Sequence, residues 1–201
     1  MSGPRVPPLA PGEWSPEAQE VLGPLRGAMG GRALNIFGTL AHHPELLRRW
    51  LVFANHVLGK STLPAREREL AILRVGWLCR AEYEWGQHVL VARQVGIDDA
   101  EIARVAAGPD APGWTPREAA VLRAADELWR EAKVGDANWA ELSHHFDVPQ
   151  LLDLVFAIGQ YTLVSMALNT LGVERDPGVP GFDETAGSRP GGAPGSSMGG
   201  C

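Results

Sequence analysis

The sequence predicts an all-α protein, and three observations predict it. Apolar residues recur at three- and four-residue intervals along most of the chain. Helix-start signatures are repeated: Ser15-Pro16, Asp98 with Glu101, Thr115-Pro116 with Glu118, and Asp147-Val148-Pro149-Gln150. No alternating strand pattern of useful length appears, and no glycine-rich phosphate loop follows a strand.

Taken in order, Ser15 caps a first helix that runs to about Met29, where Gly30 and Gly31 stop it. Residues 35–41 make one or two turns. Pro44 opens a helix with Leu47, Leu51, Ala54 and Leu58 on one face, ending at Gly59. The helix from Pro64 carries Leu70, Ile72, Leu73, Val75 and Trp77, which leaves little room for a polar face, so it should be deeply packed. Residues 82–95 form the next helix, closed by Gly96, and a short helix follows to Ala107. The helix from Thr115 turns Val121, Ala125, Leu128 and Ala132 inward; another runs from Asp136 to near Phe146. The last is long and apolar, from Asp147 to Gly172.

The 201 residues are enough for one domain with a substantial core. Three parts are expected: a flexible N-terminal arm (1–14), a helical domain (15–176), and a Gly/Pro/Ser-rich tail (177–201) too poor in apolar groups to order. A formal charge of −6, with no Lys/Arg-rich run, argues against nucleic acid or anionic membrane as partner. Residues 1–11 lack the continuous apolar stretch of a signal peptide. Residues 151–173 are long enough to span a bilayer, but Asp153, Gln160 and Asn169 would be costly in lipid, so a buried central helix is expected. Only Cys79 and Cys201 are present, one in a helical stretch and one ending the tail, which points to a reduced, cytoplasmic protein.

The segment that could carry chemistry is 63–88, LPARERELAILRVGWLCRAEYEWGQH. Glu84 and His88, four residues apart, share one helix face. Glu69 lies one helix earlier, and a hairpin turning near Arg80 and Ala81 would bring it back beside the pair. A carboxylate touching an imidazole orients the ring and raises its proton affinity, which suits general acid–base work. The same spacing also describes an ordinary surface or core pair. Arg74 either pairs with a buried carboxylate or binds a substrate acid. Trp50, Trp77 and Trp85 either line a pocket or fill the core, His56 either approaches the pocket or is half-exposed, and Tyr161 reads as core. His42-His43 and His144-His145 lack metal-ligand spacing, so no metal is expected.

The run LPARERELAILRV followed by AEYEWGQH resembles the signature of the carboxymuconolactone decarboxylase-like family, and NIFGTLAHHPELLRRW resembles its lead-in. The similarity is clear over residues 35–107. It implies an AhpD-like helical bundle that assembles as a homotrimer or homohexamer. The family's redox branch has Glu, then Cys-x-x-Cys, then His four residues on. Aligned at the histidine, those positions hold Glu69, Ala81, Glu84 and His88, so both thiols are missing. Cys79 sits two residues before Ala81, about 200° round a helix, and thiol exchange needs two adjacent sulfurs.

The Ala/Glu version resembles the decarboxylase branch. That implies cofactor-independent loss of carbon dioxide from a small carboxylated lactone or related organic acid. Glu69, Glu84 and His88 are then the catalytic candidates, and Arg74, Trp85 and His56 the substrate-binding ones. His88 would donate the proton, Glu84 orient it, and Glu69 relay or position. The competing expectation is a non-catalytic binding or stress-associated oligomer with the same fold; a thiol peroxidase or disulfide reductase ranks below both.

Overall fold

The computed structural model describes residues 3–28 and 33–186, and every regular element among them is helical. In chain order these are α1 (Pro16–Ala28), α2 (Asn35–Leu40), α3 (Pro44–Asn55, leaving through a wide turn at His56–Lys60), α4 (Ala65–Leu78), α5 (Glu82–Gln94), α6 (Asp99–Ala107), α7 (Pro116–Glu131), α8 (Asp136–His145), α9 (Val148–Leu171) and α10 (Phe182–Thr185). The expected caps are formed. The side chains of Asp98, Thr115 and Asp147 accept the backbone N–H groups of Glu101, Glu118 and Gln150, satisfying amide groups that a helix start leaves unpaired. The stop expected at Gly30 and Gly31 lies outside the described residues.

Helix α4 is the axis of the bundle, packed against α5, α7 and α9. Every residue from Leu70 to Gly76 is buried, as a helix without a polar face requires. The main core adds Trp85 and Val89 of α5, Val121, Leu122 and Ala125 of α7, and Leu154 and Ile158 of α9. Arg74 belongs to this framework. Its guanidinium grips both oxygens of Asp126 on α7 (2.6 and 3.0 Å) and donates to the carbonyls of Val105 and Ala106 at the end of α6. The expectation that Arg74 binds substrate is therefore corrected: its donors are used in a buried fork-to-fork pair that joins three helices.

Both terminal boundaries also shift. The N-terminal arm is docked, with Arg5 and Val6 amides bonded to the Leu171 carbonyl and Leu9 to that of Gly38. Trp14 is buried in a second cluster with Ala18, Leu22, Ala41 and Leu47, and that apolar burial holds the arm down. At the other end, residues 177–186 are packed rather than loose. Phe182 stacks against Trp77 and Trp85 (centroids 5.2 and 5.4 Å away), and the Trp85 indole N–H donates to Thr185 Oγ1 at 2.7 Å. Gly86 permits this approach, since a Cβ there would run into the Pro180 carbonyl and Val179. The tail from 187 onward lies outside the described residues.

Helix α9 is long and apolar enough to cross a membrane, yet half of its most apolar window is buried against the bundle. Its other side leaves Leu152, Phe156, Leu163 and Met166 exposed, with Phe156 edge-on to Phe53 of α3.

Candidate functional site

The hairpin between α4 and α5 builds the site. Helix α4 ends at Cys79; Arg80 takes a left-handed φ of 55°, and the Ala81 amide reaches back to the Gly76 carbonyl. The two helices cross closely here: a Cβ at Gly76 would come into van der Waals contact with the Trp85 backbone, 3.4 Å from its nitrogen. This tight crossing lays Glu69 of α4 beside His88 of α5, nineteen positions later. Glu84 sits in the first turn of α5, where the helix dipole favours a carboxylate.

The three side chains meet as a chain. His88 Nδ1 is 2.6 Å from Glu69 Oε2, and His88 Nε2 is 3.0 Å from Glu84 Oε1. All three are buried, Glu69 completely. Arg68 donates to the other Glu69 oxygen at 3.1 Å. Burial disfavours a charged imidazole, but the Glu69 carboxylate, with help from Glu84, outweighs it and raises the His88 pKa. Burial likewise pushes the Glu69 carboxyl up, and the charges of His88 and Arg68 overcome this and hold it below its ordinary value. Both shifts favour an imidazolium clamped between carboxylates.

Glu84 and His88 line a cavity of about 630 Å³ between α1, α2, α3, α5 and α9; Glu69 stands behind them, out of contact with it. The wall is mostly apolar, with Leu34, Ile36, Trp50, Leu51, Val91 and Val164, and its size suits a small organic molecule. Its remaining polar groups are Arg48, Asn55, Tyr83, Gln87 and Tyr161. Tyr83 and Gln87 both donate to Asp176 Oδ2, at 2.8 and 2.6 Å, and the other Asp176 oxygen accepts the Asn35 amide. Burial beside Asp176 raises the Tyr83 phenol pKa.

The structure thus brings Glu69, Glu84 and His88 together and leaves Arg74, Trp85 and His56 outside the cavity lining. Trp85 is fully buried between Trp77 and Phe182, facing away from the cavity. His56 bonds Asp153 on α9 at 2.8 Å in an exposed position. Burial pushes the Asp153 carboxyl up, but hydrogen bonds from Thr62 and His56 hold it down at about 2. Trp50, by contrast, does line the cavity. Sequence reasoning missed Gln87, Tyr83 and the pocket side of Tyr161. Gln87 could have been found from its place three residues after Glu84, on the same helix face.

The cysteine positions of the redox pattern are also located. Ala81 is fully buried at the start of α5, and Cys79 lies across the hairpin in a separate depression with Leu78, Arg80 and Trp129. Burial raises the Cys79 thiol pKa, the opposite of what a reactive thiol needs. Among the described residues, no group of three or more His, Cys, Asp or Glu side chains is arranged to hold a metal ion.

Comparison with known proteins agrees with this anatomy. Residues 44–127 match the Carboxymuconolactone decarboxylase family, a span that holds α3 to most of α7 and all of Glu69, Glu84 and His88. Among solved structures, the alkylhydroperoxidase AhpD core of an uncharacterized peroxidase-related protein from Ralstonia eutropha JMP134 superposes with a TM-score of 0.77 at 19% identity, covering 92% of this chain and 98% of that one. An uncharacterized peroxidase-related protein from Silicibacter sp. TM1040 gives 0.76 at 19% identity, with 89% and 97% covered. A variant of the debrominase Bmp8 in complex with 2,3,4-tribromopyrrole gives 0.72 at 13% identity, with 86% and 91% covered. A sequence search of curated proteins finds no match. Residues 44–127 thus carry a segment similar to the carboxymuconolactone decarboxylase family, and the bundle around it has an AhpD-like all-α fold.

Proposed function

We propose that the protein is a cofactor-independent acid–base lyase of the carboxymuconolactone decarboxylase type, acting on a small carboxylated lactone or related organic acid. The observation that carries this is the Glu69–His88–Glu84 chain ending on the wall of a largely apolar cavity. In the reaction, the bond between the carboxylate carbon and its neighbour breaks. Its electron pair moves into the conjugated carbonyl, carbon dioxide leaves, and a proton is added to carbon. The imidazolium of His88 supplies that proton, handed on through Glu84 at its Nε2; both face the cavity. Glu69, which does not, acts through His88: it fixes the ring and stabilises its charge. This exchanges the parts expected for the two glutamates, because the hairpin puts Glu69 behind the imidazole. Low polarity in the cavity favours the step, since the localised charge of the carboxylate, which the apolar wall solvates poorly, is dispersed into the conjugated carbonyl as neutral carbon dioxide leaves.

The test is carbon dioxide release across a panel of carboxylated lactones and β-keto acids. Glu84→Gln and His88→Ala should each reduce turnover by at least ~10², the effect of losing a general acid or base. Near-normal rates in both variants, or no release from any acid by the native protein, would favour the non-catalytic binding reading.

The proposal extends to assembly and location. The stripe formed by Leu152, Phe156, Leu163 and Met166 supports self-association as a homotrimer or homohexamer. Cys79 has no disulfide partner among the described residues, and this supports a reducing, cytoplasmic setting.

A further inference from the structure

Most polar groups on the cavity wall are already engaged within the protein. Glu84 and His88 hold each other, Tyr83 and Gln87 hold Asp176, and Arg48 pairs with Glu20. Asn55 is at the exposed rim. Tyr161 is different. It projects from α9, only 5% exposed, and packs edge-on against the His88 ring with centroids 4.7 Å apart. It lines the cavity, and its hydroxyl has no hydrogen-bond partner among the described residues. A hydroxyl next to an acid–base pair that opens onto a cavity and has no partner among those residues is free to bond what the cavity holds.

We propose that Tyr161 donates a hydrogen bond to the carbonyl oxygen of the substrate, the atom that takes up charge as carbon dioxide leaves, so that the site selects a carbonyl or enolate oxygen held beside His88. This rests on the acid–base reading of the site. Burial makes an ionised phenol costly, and the carboxylates of Glu84 and Glu69 oppose it further, against a smaller opposite effect of Arg68. Tyr161 therefore keeps its proton and serves as a donor throughout the reaction. Glu69, Glu84, Arg68 and the imidazolium of His88 are the charged groups around it. The electron pair released from carbon comes to rest on the oxygen that Tyr161 holds, while the proton reaches carbon from the His88 side. Fixed donors aimed at such an oxygen are typically worth ~10²–10³ in rate.

The experiment uses the full chain and 4-nitrophenol, whose phenolate mimics an enolate and whose absorbance reports ionisation on binding. Tyr161→Phe, which keeps the ring, should weaken binding at least tenfold. In steady state it should lower kcat by ~10² or more with little change in KM. Glu84→Gln removes a negative charge and should not weaken the phenolate. Equal binding by the native protein and Tyr161→Phe would overturn the proposal, as would failure of the native protein to bind. If no acid is turned over yet Tyr161→Phe still loses 4-nitrophenol, the donor stands and the decarboxylase reading alone falls. Should Tyr161→Phe fold poorly, fluorotyrosine in place of Tyr161 gives a more acidic hydroxyl. It should tighten binding; unchanged affinity would count against the donor.

Discussion

Replacing Glu69 by Gln tests the electrostatic design of the site most directly. The substitution preserves shape and an acceptor oxygen but removes the charge 2.6 Å from His88 Nδ1. A hydrogen bond to a charged group contributes about 1.5–3 kcal/mol, so a loss of ~2 kcal/mol is expected at neutral pH. For a chain of this size that lowers Tm by about 4–8 °C. The pH dependence gives a sharper signature. His88 has a raised pKa in the folded protein, so its contribution to stability is fully present below the unfolded value and is lost as pH rises through the folded one. Glu69 has a lowered pKa, so its contribution is present above the unfolded carboxylate value and is lost as pH falls. The native protein should therefore hold a stability plateau from the carboxylate range to well above neutrality. In Glu69→Gln the alkaline limb should move down, since only Glu84 still supports the imidazolium, with Tyr161 uncharged and Arg68 opposing it. Thermal melts from pH 4 to 10, with NMR titration of the His88 ring, would measure this. An imidazole that titrates at the same pH in both proteins would refute the reasoning.

Other expectations follow from the same contacts. Arg74→Ala should cost about 3–5 kcal/mol by stranding Asp126 in the core, read as a fall in denaturation midpoint; an unaltered midpoint with a raised KM would restore Arg74 to substrate binding. Gly86→Ala should detach the segment carrying Phe182 and expose Trp85, seen as a red shift in tryptophan emission and faster proteolysis near residue 180; an unchanged spectrum would contradict the packing. Cys79 should react more slowly with iodoacetamide at pH 7 than a free thiol does, because burial raises its pKa; peroxide-driven, reductase-recycled oxidation would reopen the redox reading. Phe156→Glu should reduce the molar mass found by light scattering if the exposed stripe joins subunits, and an unchanged mass would remove that role from Phe156.

Local physics made much of this protein legible in its sequence. Capping boxes depend on residues three apart, and each expected one formed at Asp98, Thr115 and Asp147. Helical periodicity placed Glu84 and His88 on one face, and the short hairpin at Arg80 and Ala81 made Glu69 their neighbour. Contacts across the bundle were not legible. Arg74 and His56 found their carboxylates 52 and 97 positions away, on α7 and α9, and no local pattern announces such a meeting. Trp85 and Tyr161 are both aromatic residues in apolar surroundings, so composition treats them alike. Packing turns Trp85 onto Phe182 and leaves Tyr161 with a bare hydroxyl beside His88. The docking of Trp14 and Phe182 was not legible for a related reason: only the bundle offers the surfaces they pack on. Sequence alone made the helices and the meeting of Glu69, Glu84 and His88 legible, because both rest on neighbours in one helix or across one tight turn. The tertiary structure decided which side of that chain meets the cavity, because that depends on α3 and α9 closing over it from distant parts of the chain.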